Sequence, residues 1–207
     1  GEDFVPFTEA LFIKEPGIGA SVAWHRDGTT HWDSPDFDEG THGFNFMAQL
    51  YGCTSANGVW VVPGSHKERY VDIADMVTRA GSERIEEAIP MICNPGDVVI
   101  SNRQAVHGSF ANTSSDWRIT INQGFHRRKS VLGVKGGGLH GKPAVYDAER
   151  IIERSKIIKL AIEARKQRFP DEQAFEYKPL SASTEDFTWN AAARKSLHDY
   201  NLLDLSI

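Results

Sequence analysis

Short segments in which apolar and polar residues alternate recur through the first 126 residues of the chain. A period of two places successive side chains on opposite faces of a strand, so that one face can be buried. In residues 117–122, for example, all the polar side chains fall on one face and all the apolar ones on the other. The strands predicted in this way lie near residues 9–14, 20–26, 43–51, 58–63, 97–101, 106–110 and 117–125.

Helical periodicity replaces this alternation towards the end of the chain. An imperfect apolar stripe predicts a helix over residues 148–168. Its members are Ile151, Ile152, Ser155, Ile158, Ile162 and Arg165. A second helix is predicted over about 184–203, and its expected buried side comprises Trp189, Ala192, Ala193, Leu197 and Tyr200. Residues 71–80 and 82–87 are also expected to be helical, as an insertion between strands.

The composition is typical of one sizeable soluble domain. With 207 residues and 40% hydrophobic content, we expect a single domain over 1–207, with a β core at about 9–126 and a helical extension at about 144–207. No run approaches 18 apolar residues and no basic-then-apolar leader opens the chain, so we expect a cytoplasmic protein without a membrane partner. Cys53 and Cys93 form no motif and are expected to be buried thiols.

The net charge of −5 is unevenly distributed. Residues 1–126 hold 8 Lys/Arg and 17 Asp/Glu, residues 127–169 hold 12 and 4, and residues 170–207 hold 3 and 7. The basic stretch could dock an anionic substrate or a coenzyme A phosphate. The alternative, which we favour, is a solvated helix face that partly neutralises an acidic body. No nucleic-acid partner is expected, because the chain is acidic and its basic run lacks interleaved aromatic residues.

Two histidines and an aspartate have the spacing of a mononuclear metal site. His25 and Asp27 lie two apart, so in a strand they project to the same side while Arg26 points away. His107 follows 80 residues after Asp27, beyond a turn signal at 94–96. Two imidazoles and a carboxylate bind iron(II) and leave coordination positions open, whereas a structural zinc site has no vacancy. The tripeptide alone is weak evidence, and the distant histidine strengthens it.

Arg118 lies 11 residues after His107, on the polar face of residues 117–122. In an ordinary sandwich such a face meets solvent, whereas in a small barrel that encloses a ligand it lines the cavity. An arginine there can form two parallel hydrogen bonds with a carboxylate, a geometry that lysine cannot copy. Arg118 is therefore a candidate anchor for a dicarboxylate cosubstrate.

Taken together, the motifs of the chain resemble those of the phytanoyl-CoA dioxygenase (PhyH) family of iron(II)- and 2-oxoglutarate-dependent oxygenases. The matching elements are Trp24-His25-Arg26-Asp27-Gly28, the Asn-Gly-Val-Trp-Val-Val-Pro-Gly-Ser-His run at 57–66, Asn94-Pro95-Gly96-Asp97, His107-Gly108-Ser109 and Arg118. They cover roughly residues 20–126, and their combination is specific although no single piece is. The resemblance implies a mainly β fold, a double-stranded β-helix (jelly roll, cupin-like) with flanking and C-terminal α-helices.

The resemblance also assigns roles to residues. The catalytic iron ligands that it implies are His25, Asp27 and His107. It further implies that Arg118 binds the distal carboxylate of 2-oxoglutarate and that Ser109 assists. By its position in the alternating segment 44–51, Gln49 is the candidate for another cosubstrate contact. The alternative for Gln49 is a buried amide satisfied by the backbone.

The implied cofactors are Fe(II), 2-oxoglutarate and O2. The implied reaction couples decarboxylation of 2-oxoglutarate to succinate with hydroxylation of an unactivated C–H bond in a small molecule. Halogenation is not expected, because halogenating relatives replace the acidic ligand and Asp27 is present. The family acts on acyl-CoA thioesters, amino acids, osmolytes and natural-product scaffolds, so the fold does not name the substrate. Residues 28–43, a long polar segment, are expected to select it.

Three further expectations concern alternatives and the start of the chain. A cupin-like isomerase or lyase could use the same ligands without 2-oxoglutarate, and a metal-binding domain could have lost turnover. His31 competes as a ligand, but the spacing to Arg118 favours His107. Only 24 residues precede His25, fewer than family members usually carry, so we expect either a fragment or a short variant of the family, without part of the usual substrate lid in the given sequence.

Overall fold

The computed structural model describes residues 3–27, 42–137 and 143–197. The chain divides into two compact units, Glu9–Gly124 and Gly1–Thr8 together with Phe125–Ile207. The first unit holds most of the two large sheets and the second holds most of the helices. The single-domain organisation stays a prediction.

Eight strands form two four-stranded sheets. In spatial order, the first sheet contains β1 (Phe4–Lys14), β8 (Arg118–Arg127), β3 (Gly43–Gln49) and β6 (Val98–Asn102). The second contains β2 (Val22–His25), β7 (His107–Ser109), β4 (Trp60–Val61) and β5 (Ile89–Pro90). Consecutive strands change sheet at every step except from β4 to β5. This double-sheet topology is that of a jelly roll, and it confirms the expected fold class.

The buried face of the first sheet is its polar one. Asn45 and Gln49 on β3 and Arg118 on β8 are all less than 5% exposed. On the opposite face Ile121 is 39% exposed and Ile100 is 65% exposed. Of the two interpretations of the alternating strand at 117–122, the structure therefore favours the polar face that lines an interior. Polar side chains of this interior are in position to form a ligand site.

The segment after β4 packs on the second sheet. A short 3₁₀ helix (Ser65–Lys67) is followed by α1 (Ile73–Ala80). The hydrophobic cluster beneath them contains Val62, Ile85, Ala88 and Val106, packed by Trp24, Trp60, Val71, Ile73, Met76 and Val77. The sheet thus has an apolar cover on one face.

The ends of α1 explain an error in the predicted helices. Asp72 caps the start by accepting a hydrogen bond from the Asp75 backbone N–H. Gly81 ends the helix in the left-handed conformation, with φ of 61°. The helix predicted over 82–87 is wrong, because the Ser82 hydroxyl accepts from the backbone N–H of residue 84 and stabilises a turn instead.

The second unit contains a hairpin and three α-helices. Their bounds are α2 (Arg128–Val131), β9 (Lys135–Gly137), β10 (Pro143–Val145), α3 (Ala148–Arg168) and α4 (Ala191–Ser196), with a 3₁₀ helix at Lys178–Leu180. Val5, Val131, Tyr146 and Ile151 form its buried cluster. The α-helices of the described residues are all too short or too polar to cross a lipid bilayer.

The predicted C-terminal helices are only partly correct. The first matches α3, in which Ile151 and Ser155 are buried, but Ile152 is exposed and Arg154 is buried in its place. Of the helix predicted over 184–203, only α4 is helical among the described residues. It starts late because Asn190 caps it, accepting from the Ala193 backbone N–H. No residue of α4 is fully buried. Of the expected buried side, Trp189, Ala193 and Leu197 are half-buried, Ala192 is exposed, and Tyr200 lies outside the described residues.

Several basic side chains of residues 127–169 form ion pairs with nearby acidic ones. Arg128 lies 2.7 Å from Asp3, and Lys156 lies 2.9 Å from Glu185. These pairs are of the kind expected of a solvated basic surface, and the interpretation of the basic stretch as a helix face that partly neutralises an acidic body stays a prediction.

Candidate metal centre and cosubstrate pocket

The two predicted histidine ligands face each other across a strand pair. Antiparallel pairing of β2 and β7 places His25 opposite His107, with ring centroids 4.3 Å apart. Each Nδ1 lies against the carbonyl oxygen two residues earlier, at 2.7 Å for Ala23 and 2.9 Å for Ala105. A carbonyl oxygen only accepts, so Nδ1 donates and the lone pair is on Nε2. Both imidazoles are thereby oriented as metal ligands through Nε2.

Asp27 completes the group just after β2. Its Oδ1 lies 3.4 Å from His25 Nε2, and its Oδ2 lies 3.7 Å from His107 Nε2. The backbone N–H of Asp27 donates to the Arg103 carbonyl at 3.1 Å, which connects it to the segment before His107. One ligand atom from each of the three lies within 4.8 Å of the others, and the described residues contain no second such cluster of His, Cys, Asp or Glu. The structure therefore brings the three predicted ligands together.

The protonation tendencies of the three side chains in the cluster favour binding of a cation. Burial alone would raise the pKa of Asp27, but its hydrogen bond with His25 and the charges of Arg103 and His107 hold that pKa well below its usual range. Burial lowers the pKa of His107, whereas the hydrogen bond with Asp27 raises that of His25. A carboxylate and a neutral imidazole are thus available, and a metal at Nε2 of His25 would displace any proton held there.

Arg26 holds the ligand segment in place from behind. As expected, its side chain points away from Asp27. Its guanidinium donates to the carbonyl oxygens of Gln104 at 2.8 Å, Glu68 at 2.6 Å and Arg69 at 3.0 Å. These bonds tie the end of β2 to the loop that leads into β7 and to the segment after the first 3₁₀ helix. Beyond the position of Arg26 between two predicted ligands, no sequence pattern indicates this role.

Arg118 is held inside the pocket by neutral groups. Its Nε donates to Thr120 Oγ1 at 3.2 Å, and its Nη1 donates to the Asn57 carbonyl at 3.4 Å. The Thr120 hydroxyl in turn donates to Gln49 Oε1 at 2.6 Å. These contacts use two of the five guanidinium N–H donors, so the fork can still bind a carboxylate. Gln49 thus orients Arg118 through Thr120, and its amide oxygen is bonded to a side chain rather than to the backbone. A direct contact between Gln49 and the cosubstrate stays a prediction.

Lys14 is a pocket residue that the sequence did not reveal. It lies at the end of β1, is 5% exposed, and donates from Nζ to Ser109 Oγ at 2.8 Å and to the Phe110 carbonyl at 2.6 Å. Burial, followed by the charge of Arg118, lowers the pKa of Lys14 to about 8. The one available signal was a lysine directly after the apolar run at 11–13, in a strand with one buried face. Ser109 thus has a cationic partner.

Neither buried cation is compensated by a carboxylate among the described residues. The groups that act electrostatically on them are each other and the thiols of Cys53 and Cys93, which are free and buried as expected. Burial, followed by the hydrogen bond with Cys53, raises the pKa of Cys93 to about 12, so this thiol is neutral. Burying an unpaired charge is costly. The two positive charges of Lys14 and Arg118 therefore favour binding of an anionic ligand in this interior.

Comparison with known proteins identifies the family. The family model described as Phytanoyl-CoA dioxygenase (PhyH) matches residues 5–120, which contain the metal cluster and both pocket cations. The chain belongs to the phytanoyl-CoA dioxygenase family. Membership confirms the expected family. The oxidoreductase class of that family and its cofactor set, Fe(II), 2-oxoglutarate and O2, are those that the sequence motifs implied, and the three residues of the cluster fit a metal of that set.

Two curated proteins that are similar to this chain are named as dioxygenases. Phytanoyl-CoA dioxygenase 1 of Oryza sativa subsp. japonica is 30% identical over 115 residues, 51% of this chain and 39% of that protein. Dioxygenase lolE1 of Epichloe uncinata is 32% identical over 136 residues, 65% of this chain and 46% of that protein. The matched segments thus span less than half the length of either relative.

A solved structure supports the fold. EctD from S. alaskensis, crystallised with 2-oxoglutarate and 5-hydroxyectoine, superposes with a TM-score of 0.51 at 20% identity, over 64% of this chain and 47% of that one. At this identity the likeness concerns the jelly roll alone.

The remaining histidine and loop positions considered in the sequence lie either away from the cluster or outside the residues that the structure describes. His66 is in the 3₁₀ helix at Ser65–Lys67 and is not part of the metal cluster. His31 and most of the expected substrate-selecting segment at 28–43 lie outside the described residues.

Proposed function

We propose that this protein is an Fe(II)- and 2-oxoglutarate-dependent dioxygenase that hydroxylates an unactivated C–H bond of a small-molecule substrate. One observation carries the proposal: an open two-histidine, one-carboxylate cluster shares a jelly-roll interior with two buried cations that no described carboxylate neutralises. 2-Oxoglutarate is a dianion with a keto-acid end suited to a metal and a distal carboxylate suited to an arginine fork. This chemistry matches both halves of the site.

The donor set fits ferrous iron. His25 and His107 would supply Nε2 atoms, and Asp27 would supply a carboxylate oxygen. When bound, iron supplies the redox chemistry that couples O2 reduction to decarboxylation of 2-oxoglutarate and oxidation of the substrate. The chain itself would orient the cosubstrate through Arg118. Near the same carboxylate, Ser109 would supply a hydroxyl donor and Lys14 would supply a second positive charge.

An anaerobic titration tests the proposal. Iron(II)-loaded protein is titrated with 2-oxoglutarate while the visible metal-to-ligand charge-transfer band is followed. We expect the band in the wild type and its loss in His107→Ala, which lacks one ligand. Metal-loaded protein without a band would contradict the proposal and favour the cupin-like isomerase or lyase, which needs no 2-oxoglutarate.

Turnover is tested separately. Under air, succinate release in the presence of candidate acyl-CoA, amino-acid, osmolyte and natural-product substrates would be measured by mass spectrometry, together with a product 16 Da heavier than its substrate. Asp27→Ala provides the matched control for oxidation by free iron. A charge-transfer band without succinate from any substrate class would favour the binding domain that has lost turnover.

A further inference from the structure

Two buried polar side chains stand behind the Asp27 carboxylate. Asn45, on β3, donates from Nδ2 to Asp27 Oδ2 at 2.6 Å. Arg103, four residues before His107, places Nη2 3.9 Å from the same oxygen. The two side chains also contact each other, since Arg103 Nη1 donates to Asn45 Oδ1 at 2.7 Å. Asn45 is 3% exposed and Arg103 is 4% exposed, so bulk water does not compete for these bonds.

The chemistry of the three groups gives this chain of hydrogen bonds a single direction. A guanidinium only donates, so the carbonyl end of the Asn45 amide must face Arg103. Its NH2 end must then face Asp27, whose ionised carboxylate only accepts. Rotating the Asn45 amide by half a turn would break both bonds. Oδ2 of Asp27 is therefore held in one orientation from the side of β3.

Resting on the proposed function, we infer that Asn45 and Arg103 are positioning residues that keep Asp27 a one-oxygen ligand. Oδ2 is engaged by Asn45 and lies beside Arg103, which leaves Oδ1 as the oxygen available for strong coordination. A six-coordinate ion with three protein donors keeps three positions, which 2-oxoglutarate and O2 require. A carboxylate that coordinated through both oxygens would occupy one of them. The pair therefore protects the open positions as well as the affinity for the metal.

The competing explanation is that Asn45 merely satisfies a buried arginine. Asn45→Leu distinguishes the positioning role from this explanation. Leucine is close in size to asparagine and leaves the charge of Arg103 in place, but it removes the donor to Asp27. We expect the Kd for Mn(II), measured anaerobically by calorimetry, to rise roughly 10–100-fold. We also expect the charge-transfer band of the Fe(II)/2-oxoglutarate complex, normalised to bound metal, to shift or weaken. A packing role alone would not change this normalised band.

Asn94→Leu is the matched control. It makes the same substitution at an exposed position in the turn before β6, outside the polar interior that holds the cluster. Its Mn(II) affinity and band should equal those of the wild type. Where Asn45→Leu does not fold, as judged by circular dichroism, Asn45→Ala replaces it, since a smaller side chain leaves room for water beside Arg103.

The outcomes distinguish this inference from the proposed function. Folded Asn45 variants with a Kd within threefold of the wild type and an unchanged band would overturn the positioning role while leaving the proposed function intact. If the wild type itself binds iron but gives no band with 2-oxoglutarate, the proposed function fails first and the inference fails with it. A weaker Kd together with an altered band in the Asn45 variants alone supports the positioning role.

Discussion

Arg118→Met offers the most quantitative test of the cosubstrate pocket. Arg118 is 3% exposed and retains guanidinium donors after its bonds to Thr120 and Asn57. A buried, charge-assisted, bidentate contact with a carboxylate contributes about 2–4 kcal/mol when no water replaces it. Methionine keeps an unbranched apolar stem but removes every donor. At 1.4 kcal/mol per factor of ten, we expect the Kd of 2-oxoglutarate to rise roughly 30- to 700-fold.

The neighbouring lysine places a limit on this effect. Lys14 stays in the pocket in the variant, and loss of the Arg118 charge removes one of the two causes that lower its pKa. Lys14 is then more fully protonated and can still attract the dianion. The metal contacts of the keto-acid end are also unchanged. Binding should therefore weaken strongly without being abolished, and Arg118→Lys, which keeps the charge but loses the fork, should fall between the variant and the wild type.

The assay is the same anaerobic titration, followed by the charge-transfer band. Arg79→Met is the control, because Arg79 is exposed on α1 and pairs with Asp75 of the same helix. Melting temperatures of the metal-free proteins would show whether loss of the Thr120 and Asn57 contacts unfolds the pocket. A folded Arg118→Met protein whose Kd stays within threefold of the wild type would refute the assignment of Arg118 as the carboxylate anchor.

Three other predictions follow from the same geometry. Asp27→Ala and His107→Ala should each lose iron on gel filtration under anaerobic conditions, and unchanged iron content in either would defeat the ligand assignment. Because the pKa of Lys14 is lowered to about 8, 2-oxoglutarate should bind progressively more weakly as pH rises through 8, and Lys14→Met should flatten this dependence in calorimetric titrations. Gly58→Ala should lower the free energy of unfolding by about 1–3 kcal/mol in urea titrations, since its new Cβ would lie 2.6 Å from the Thr54 carbonyl oxygen. An unchanged midpoint would show that the turn at 54–58 can yield.

The sequence alone was enough to predict most of the strands and the three residues that form the candidate metal cluster. Alternation is a local property, so the strand predicted at 43–51 matches Gly43–Gln49 and that at 97–101 matches Val98–Asn102. The His25-x-Asp27 spacing also acts locally, since two residues of one strand share a face. Very short strands such as Ile89–Pro90 were missed, because two residues carry no periodicity. Residues 82–87 were misassigned because the Ser82 hydroxyl stabilises a turn there in place of a helix.

Only the tertiary structure decided which face of each strand is the inside. Alternation divides the residues of β8 into two faces but does not say which is buried, and here the polar face is. Lys14 and Ser109 meet across 95 residues of chain, and Arg103 and Asn45 meet across 58. Such contacts depend on how the two sheets pair, because a buried charge or amide is stable only where distant strands supply its partners. The sequence motifs therefore indicated the candidate ligands His25, Asp27 and His107, and the packed fold determined the groups that orient them.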